Sequence, residues 1–522
     1  MKKINILYLL MFLVLIMSSC NVSKNPDNVE AILKKSGKNR SQLEAVIEHY
    51  KNSDDTLKIK AAYFLIGNMC EHSYVTFKMV DTASNTVDWD VLKYKNYQEV
   101  VKAWDSIENV IGPIHFVIDK KIMDYDTITS DFLIKNIDLA FKAWRDFPWS
   151  RHLNFDQFCE YILPYRGSNE PLENWREYFY NNFNWVVDSM KGSSDPIKAA
   201  CLINDNIKSW FRFDSRYYEH PTDQGFSEML KNKMGRCEDM TNLAIFAFRA
   251  MGVPVMSDYT PYWAKTGNNH AWNATLDSVG KVVIFMGGEA NPGKYNLHHV
   301  FAKVYRKTFA KQLSSLKEKN KNNNEKLPPY LRHNTYSDVT KDYVSAFDIK
   351  MKLKKTKTDT NDFAYICVFN TGEWRAIHWS EINNDEVIFT DMGTDIVYLP
   401  AYFIDKKIKP AGNPFIFDKN AKINTIIPDT LNLRSIKVFG TTASETKETT
   451  DFITKVSFKK NKNYTLYYWY DKWIKIGEKK SKGKALIFKD VPSNALYWLK
   501  AEDSHNEERI FTIDKSGKQI WW

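Results

Sequence analysis

The sequence predicts a multidomain α+β protein: a mostly helical N-terminal region, an α+β core, and two tandem C-terminal all-β sandwich modules. Three observations carry that expectation. Residues 237–286 switch from helical to strand periodicity, residues 30–190 hold helix-compatible runs, and the residues after 336 repeat a set of apolar and aromatic positions at one fixed offset. A length of 522 residues agrees, because single cores rarely grow beyond about 250–300 residues.

At the N-terminus, Lys2 and Lys3 precede an apolar run from Ile4 to Met17, followed by Ser18-Ser19-Cys20. The run is shorter than the ~20 residues that span a bilayer comfortably. A basic stretch, an apolar stretch and small residues before a cysteine resemble a bacterial lipoprotein signal. That resemblance implies removal of residues 1–19, lipidation of Cys20, and anchoring in the cell envelope at the inner or outer membrane, periplasmic or surface-exposed. An ordinary cleaved secretory signal is the other reading. Residues 21–30 read as a short polar tether.

Residues 20–192 form the mostly helical region. Ala61-Ala62-Tyr63-Phe64-Leu65-Ile66 and the run from Phe132 to Trp144 are compatible with helix. The aromatic-rich segment Phe155 to Arg166 reads as a packing layer against the core. Tyr165, Arg166 and Trp175 remain open as cleft-lining residues, since aromatics and arginine are favoured where ligands are gripped.

The core, residues 193–310, carries the chemistry. After Gly235-Arg236-Cys237, the apolar positions Met240, Leu243, Ala244, Ala247, Phe248 and Met251 follow the spacing of a helix with one buried face. Gly252 and Pro254 stop it. Cys237 then sits in the first turn, where the positive end of the helix dipole and the free N–H groups favour a thiolate. Glu238 and Asp239 read as first-turn carboxylates. Downstream, His270-Ala271-Trp272-Asn273-Ala274-Thr275-Leu276 alternates as a half-buried strand, Asp277-Ser278-Val279-Gly280 reads as a turn, and Val282 to Met286 as a second strand. A cysteine at a helix start and a histidine at a strand start are what a thiolate nucleophile and its general base require.

The G-x-C motif at Gly235–Cys237, the helix end Arg249-Ala250-Met251-Gly252-Val253-Pro254 and His270-Ala271-Trp272-Asn273 together resemble the transglutaminase-like superfamily over residues 195–295. The resemblance implies a papain-like core, Cys237 as nucleophile and His270 as base. It also implies an aspartate about fifteen residues after the histidine, but Ile284-Phe285-Met286-Gly287-Gly288-Glu289 holds none. Glu289 is the nearest carboxylate to orient the imidazole, with Asn291 a weaker substitute. An oxyanion hole would use the Cys237 N–H, with a second donor among Tyr217, Tyr218 and Gln224.

Residues 311–335, rich in Lys, Asn and Glu, are expected to be a polar linker. Beyond it Trp374, Ile377, Ile388, Phe389, Asp391 and Tyr398 recur as Trp473, Ile476, Ile487, Phe488, Asp490 and Tyr497, each 99 residues on. This divides residues 336–428 from 429–522 as duplicated β-sandwich modules, with Trp374 and Trp473 expected as core anchors. A spacer or glycan-contacting role for the modules stays open.

The net charge of +10 is spread over lysine-rich turns such as Lys459-Lys460 and Lys479-Lys480, which describes a solvated surface rather than a nucleic-acid footprint. Apart from Cys20, five cysteines remain. An odd number is compatible with a free thiol, and no metal-ligand spacing or cofactor motif is present. Two readings follow. One is a membrane-anchored cysteine peptidase or amidase acting on a peptide, glycopeptide or cell-wall fragment, with transfer to an amine as a variant that would make it a protein-glutamine acyltransferase. The other is a non-catalytic lipoprotein that binds glycan or peptide on the same scaffold. Oligomeric state is not legible.

Overall fold

The structure, a computed structural model, describes residues 25–297, 300–322, 325–354, 361–442, 458–504 and 508–522, with strand fragments at 448–449 and 452–453. The leader 1–19 and Cys20 lie outside the described residues. Among the described residues no helix is long and apolar enough to cross a membrane.

The N-terminal region opens with three helices, Asp27–Lys35, Arg40–Lys51 and Thr56–Asn68, and continues with Ser130–Asp146. Between them lies a small antiparallel sheet that the helical reading missed: Ser73–Val80 pairs with His115–Met123 and with Thr86–Val87. Helix faces bearing Val29, Leu43, Leu65 and Ile137 share one apolar cluster with Met256, Ala274 and Leu276 of the core sheet. The N-terminal region is therefore part of the wall that covers the core.

The core sheet has five antiparallel strands in the order Tyr336–Asp338, Tyr305–Lys307, Val255–Thr260, His270–Leu276 and Val282–Phe285. Two of these strands come from sequence beyond residue 300. The segment 311–335 is therefore not a free linker. It leaves the sheet after Lys307, buries Leu316 and Leu331, and returns to pair Tyr336 with Lys307. Two scattered leucines in a polar run carry no periodicity, which is why composition alone misread it.

The helix Cys237–Ala250 differs from the single-faced reading. Every residue from Asp239 to Ala250 is buried, because the helices Trp175–Asn182 and Pro196–Trp210 and the sheet enclose it. Such enclosure leaves polar groups to be satisfied inside. Arg249 Nη1 donates to the carbonyls of Pro164 and Arg166, and buried Arg176 donates to those of Ile162, Leu163, Pro164 and Arg249. The aromatic segment Phe155–Arg166 is thereby fastened to both ends of the core, with Tyr165 and Trp175 buried in packing.

The C-terminal part comprises two modules. In the first, a six-stranded sheet built on Phe363–Asn370, Glu373–Glu381 and Ile396–Ile404 faces the pair Ala346–Lys352 and Glu386–Gly393. In the second, a five-stranded sheet built on Asn463–Trp469, Trp473–Lys480 and Tyr497–Ala501 faces Asp429–Val438 and Leu486–Ser493. The offset of 99 survives in atomic detail. Tyr398 Oη donates to Gly393 O and Tyr497 Oη to Pro492 O, and Asp391 and Asp490 both adopt φ 53°.

Trp374 and Trp473 are not interior anchors of their separate modules. They meet Phe369, Trp469 and Trp498 in the seam between the two modules. From this seam Arg509 reaches across three units. It donates to Trp522 O, to Phe369 O of the first module at 2.7 Å, and to Ala264 O (2.7 Å) and Thr266 O (3.3 Å) in the loop that precedes His270. Asn370 Nδ2 clamps the same loop through Trp263 O, Thr266 O and Asn268 O. Arg509→Met, which keeps the bulk but leaves these carbonyls unpaired, is expected to lower stability by about 2–4 kcal/mol. It should also speed amide exchange selectively in residues 263–268, measurable by denaturant unfolding and hydrogen exchange.

Candidate active site

Cys237 is the first residue of its helix, and the turn that delivers it is set by packing. A Cβ on Gly235 would lie 2.6 Å from the Asp239 side chain and 2.7 Å from Gln224 Nε2. Glycine is thus needed for space, not as a flexible turn. Asp239 closes the helix start, accepting from the Arg236 N–H at 2.9 Å and the Gln224 N–H at 3.1 Å. Burial raises its pKa to about 6.

Cys237 and His270 line one cleft of about 350 Å³, together with Glu238, Arg166, Ser168, Lys307, Asn269 and Tyr330. Both are half-buried. Burial, followed by the neighbouring Glu238 charge, pushes the thiol up to about 11, with Arg236 opposing. The helix start therefore does not ionise the sulfur as the sequence reading expected. Removing the first turn from water disfavours the thiolate, against the pull of the helix dipole.

His270 Nε2 lies 2.6 Å from Tyr295 Oη. Glu289 is exposed in the turn after Phe285, and the imidazole's described partner is the Tyr295 phenol instead. The Glu289 charge acts on Tyr295, whose pKa rises to about 12 through burial first, then Glu289 and Cys237. Asn291 is also elsewhere, bonded to Asn204 and Asp205 of the Pro196–Trp210 helix. Extending the Asn273–Phe285 register sets Gly288 across from His270 and Gly287 beside it. A Cβ on Gly287 would lie 2.5 Å from Met240 O and from the Ala244 side chain. The chain leaves the strand here in a turn over 287–289 that is pressed against the Cys237 helix at Gly287, where no side chain fits.

Around the sulfur the cleft is strongly polar. Glu238 and Lys307 form an ion pair, Lys307 Nζ lies 3.4 Å from Ser168 Oγ, and Asp223 accepts from Ser168 (3.1 Å) and Arg236 (2.6 Å). Burial works to raise the Glu238 carboxyl, but the Lys307 and Arg236 charges prevail and hold it below the usual range. Of the proposed oxyanion donors, Gln224 spends its amide on Met234 O, and Tyr217 is buried away from the cleft. Tyr218 stays half-exposed within electrostatic reach of Cys237. Tyr295, Lys307 and Tyr330 were not found from sequence. They come from loops and a short strand with no spacing relation to the cysteine or histidine.

The model of the transglutaminase-like superfamily matches residues 184–281. The chain carries a transglutaminase-like domain. The match takes in Cys237, its helix and the His270 strand, and stops before Tyr295 and the two outer strands of the sheet. A crystal structure of a candidate cysteine protease from Cytophaga hutchinsonii aligns at 18% identity, with a TM-score of 0.21, over 27% of this chain. The alignment spans 44% of that chain, less than half its length. No curated protein matches.

In the transglutaminase-like domain a thiol with a pKa near 11 titrates far above neutrality. Alkylation of Cys237 by iodoacetamide is therefore expected to climb roughly 100-fold from pH 7 to pH 9, tenfold per unit, without a low-pH plateau. Glu238→Gln should move the titration to lower pH by removing the charge that opposes the thiolate. A rate already saturated at pH 7 would contradict this electrostatic picture.

Proposed function

We propose that this protein is an envelope-anchored cysteine hydrolase that cleaves an amide bond in a peptide, glycopeptide or cell-wall fragment. The observation that carries the reading is one open cleft lined by Cys237 and His270, with His270 Nε2 already engaged by Tyr295. The lipoprotein-like leader, with Cys20 as lipid-bearing residue, supports the envelope location.

The chemistry follows from the protonation states. The resting sulfur is a thiol, so a general base must remove its proton during attack. In the tautomer that carries its proton on Nε2, toward Tyr295 Oη at 2.6 Å, the His270 Nδ1 lone pair is the base. The Cys237 sulfur forms a bond to the carbonyl carbon as Nδ1 takes the thiol proton. The C–N bond then breaks, and the same proton leaves with the amine. Water, deprotonated by His270, attacks the thioester and frees the acid and the thiol. The Cys237 N–H, at the open end of its helix, faces the developing oxyanion. An amine in place of water would give acyl transfer through the same thioester.

A second reading has its own support. The thiol is held protonated, and the segment Ile284–Glu289 carries no aspartate, which suits a domain that holds glycan or peptide without turnover. Turnover of a panel of peptides, glycopeptides and muropeptides decides between them. For the hydrolase, His270→Ala should cost at least about 100-fold in kcat/KM. Tyr295→Phe, which removes one hydrogen bond worth ~1.5 kcal/mol, should cost about tenfold. If both variants match wild type in turnover and in Cys237 alkylation, the hydrolase reading fails.

A further inference from the structure

A second concavity lies outside the cysteine chemistry. A groove of about 1010 Å³ opens where the 325–332 segment meets both C-terminal modules. One wall is aromatic: Trp374 and Trp469 ring centroids are 5.5 Å apart, Trp469 and Trp473 are 5.0 Å apart, and Phe403 and Tyr262 continue the surface. The indole N–H groups of Trp374 and Trp469 have no hydrogen-bond partner among the described residues.

The rim is basic. Lys326, Arg332, Lys406, Lys407 and Lys472 are exposed along it, and among the described residues none of them enters an ion pair. The acidic lining residues are already engaged. Glu373 pairs with Arg375 at 3.2 Å, Asp471 with Lys354 at 3.3 Å, and Glu325 receives the Asp362 N–H at 2.6 Å. A concave surface with uncompensated charge of one sign concentrates ions of the other.

We propose that this groove binds an anionic oligosaccharide. Trp374 and Trp469 are buried behind the wall, and the half-exposed indole of Trp473 is the flat face that suits the apolar face of a sugar ring, while lysine and arginine at the rim suit carboxylates carried on such rings. A peptide strand bound by sheet extension would need a row of free backbone groups. The edge strands Glu373–Glu381 and Trp473–Lys480 reach the groove only through their first residues, and the third edge, Lys407–Pro410, is four residues long and ends in a proline that offers no N–H, so side chains make most of the surface. The site is independent of catalysis, although Pro328 and Pro329 on its wall directly precede Tyr330 in the Cys237 cleft.

Titration of the full chain with oligogalacturonate, followed by tryptophan fluorescence and calorimetry, tests the proposal. Saturable binding that weakens with salt is expected. Trp473→Ala and the combined change Lys406→Gln, Lys407→Gln and Lys472→Gln should each weaken it about tenfold or more, with Cys237 alkylation unchanged in both and the melting curve unchanged in the lysine variant, which touches only exposed side chains. A maltooligosaccharide of equal length should bind at least tenfold more weakly. Three results overturn the proposal: no saturable binding of oligogalacturonate, equal binding of the neutral sugar, or tighter binding of poly-glutamate, which would mark an acidic-peptide site. None of these results bears on turnover at Cys237, so the two readings fail separately.

Discussion

Enclosure of the Cys237 helix is the constraint on which the rest depends. Because the helix is buried from Asp239 to Ala250, only its first turn meets solvent, and the sulfur sits where enclosure gives way to the cleft. The same enclosure dictates the neighbours. Arg176 and Arg249 are needed to satisfy carbonyls of the Ile162–Arg166 turn, Gly287 is needed where the turn over 287–289 presses on the helix, and the thiol is held protonated by its loss of water.

The C-terminal modules belong to this arrangement rather than hanging from it. Arg509 carries a buried charge whose described partners are all carbonyls, and burial lowers its pKa to about 9. Two of those carbonyls lie in the loop leading into His270, and Asn370 holds the same loop from the first module. The duplicated β-modules thus set the approach of the histidine strand, while their seam forms the aromatic groove.

Much of this architecture is legible in the sequence where a period or a fixed offset exists. The stripe Met240, Leu243, Ala244, Ala247 marks the helix, the alternation after His270 marks its strand, and the 99-residue offset marks the modules down to the Tyr398 and Tyr497 hydroxyl bonds. What failed depends on three-dimensional crowding. Helical periodicity cannot say that both faces of a helix are covered, and a polar run cannot show that Leu316 and Leu331 return it to the sheet. The orienting group for the imidazole was sought near its usual spacing, at Glu289 and Asn291. A phenol 25 residues on, at Tyr295, carries no spacing signal.

The Tyr295 contact has a consequence for the conditions the site withstands. A carboxylate partner would gain a proton in acid and release the ring, and an imidazolium would lose its counter-charge with it. A phenol with its pKa near 12 stays neutral throughout the acid range, and its hydroxyl can serve the ring nitrogen as donor or as acceptor. The price is a weaker pull on a cationic ring, and the return is a partner for the imidazole that acid does not discharge.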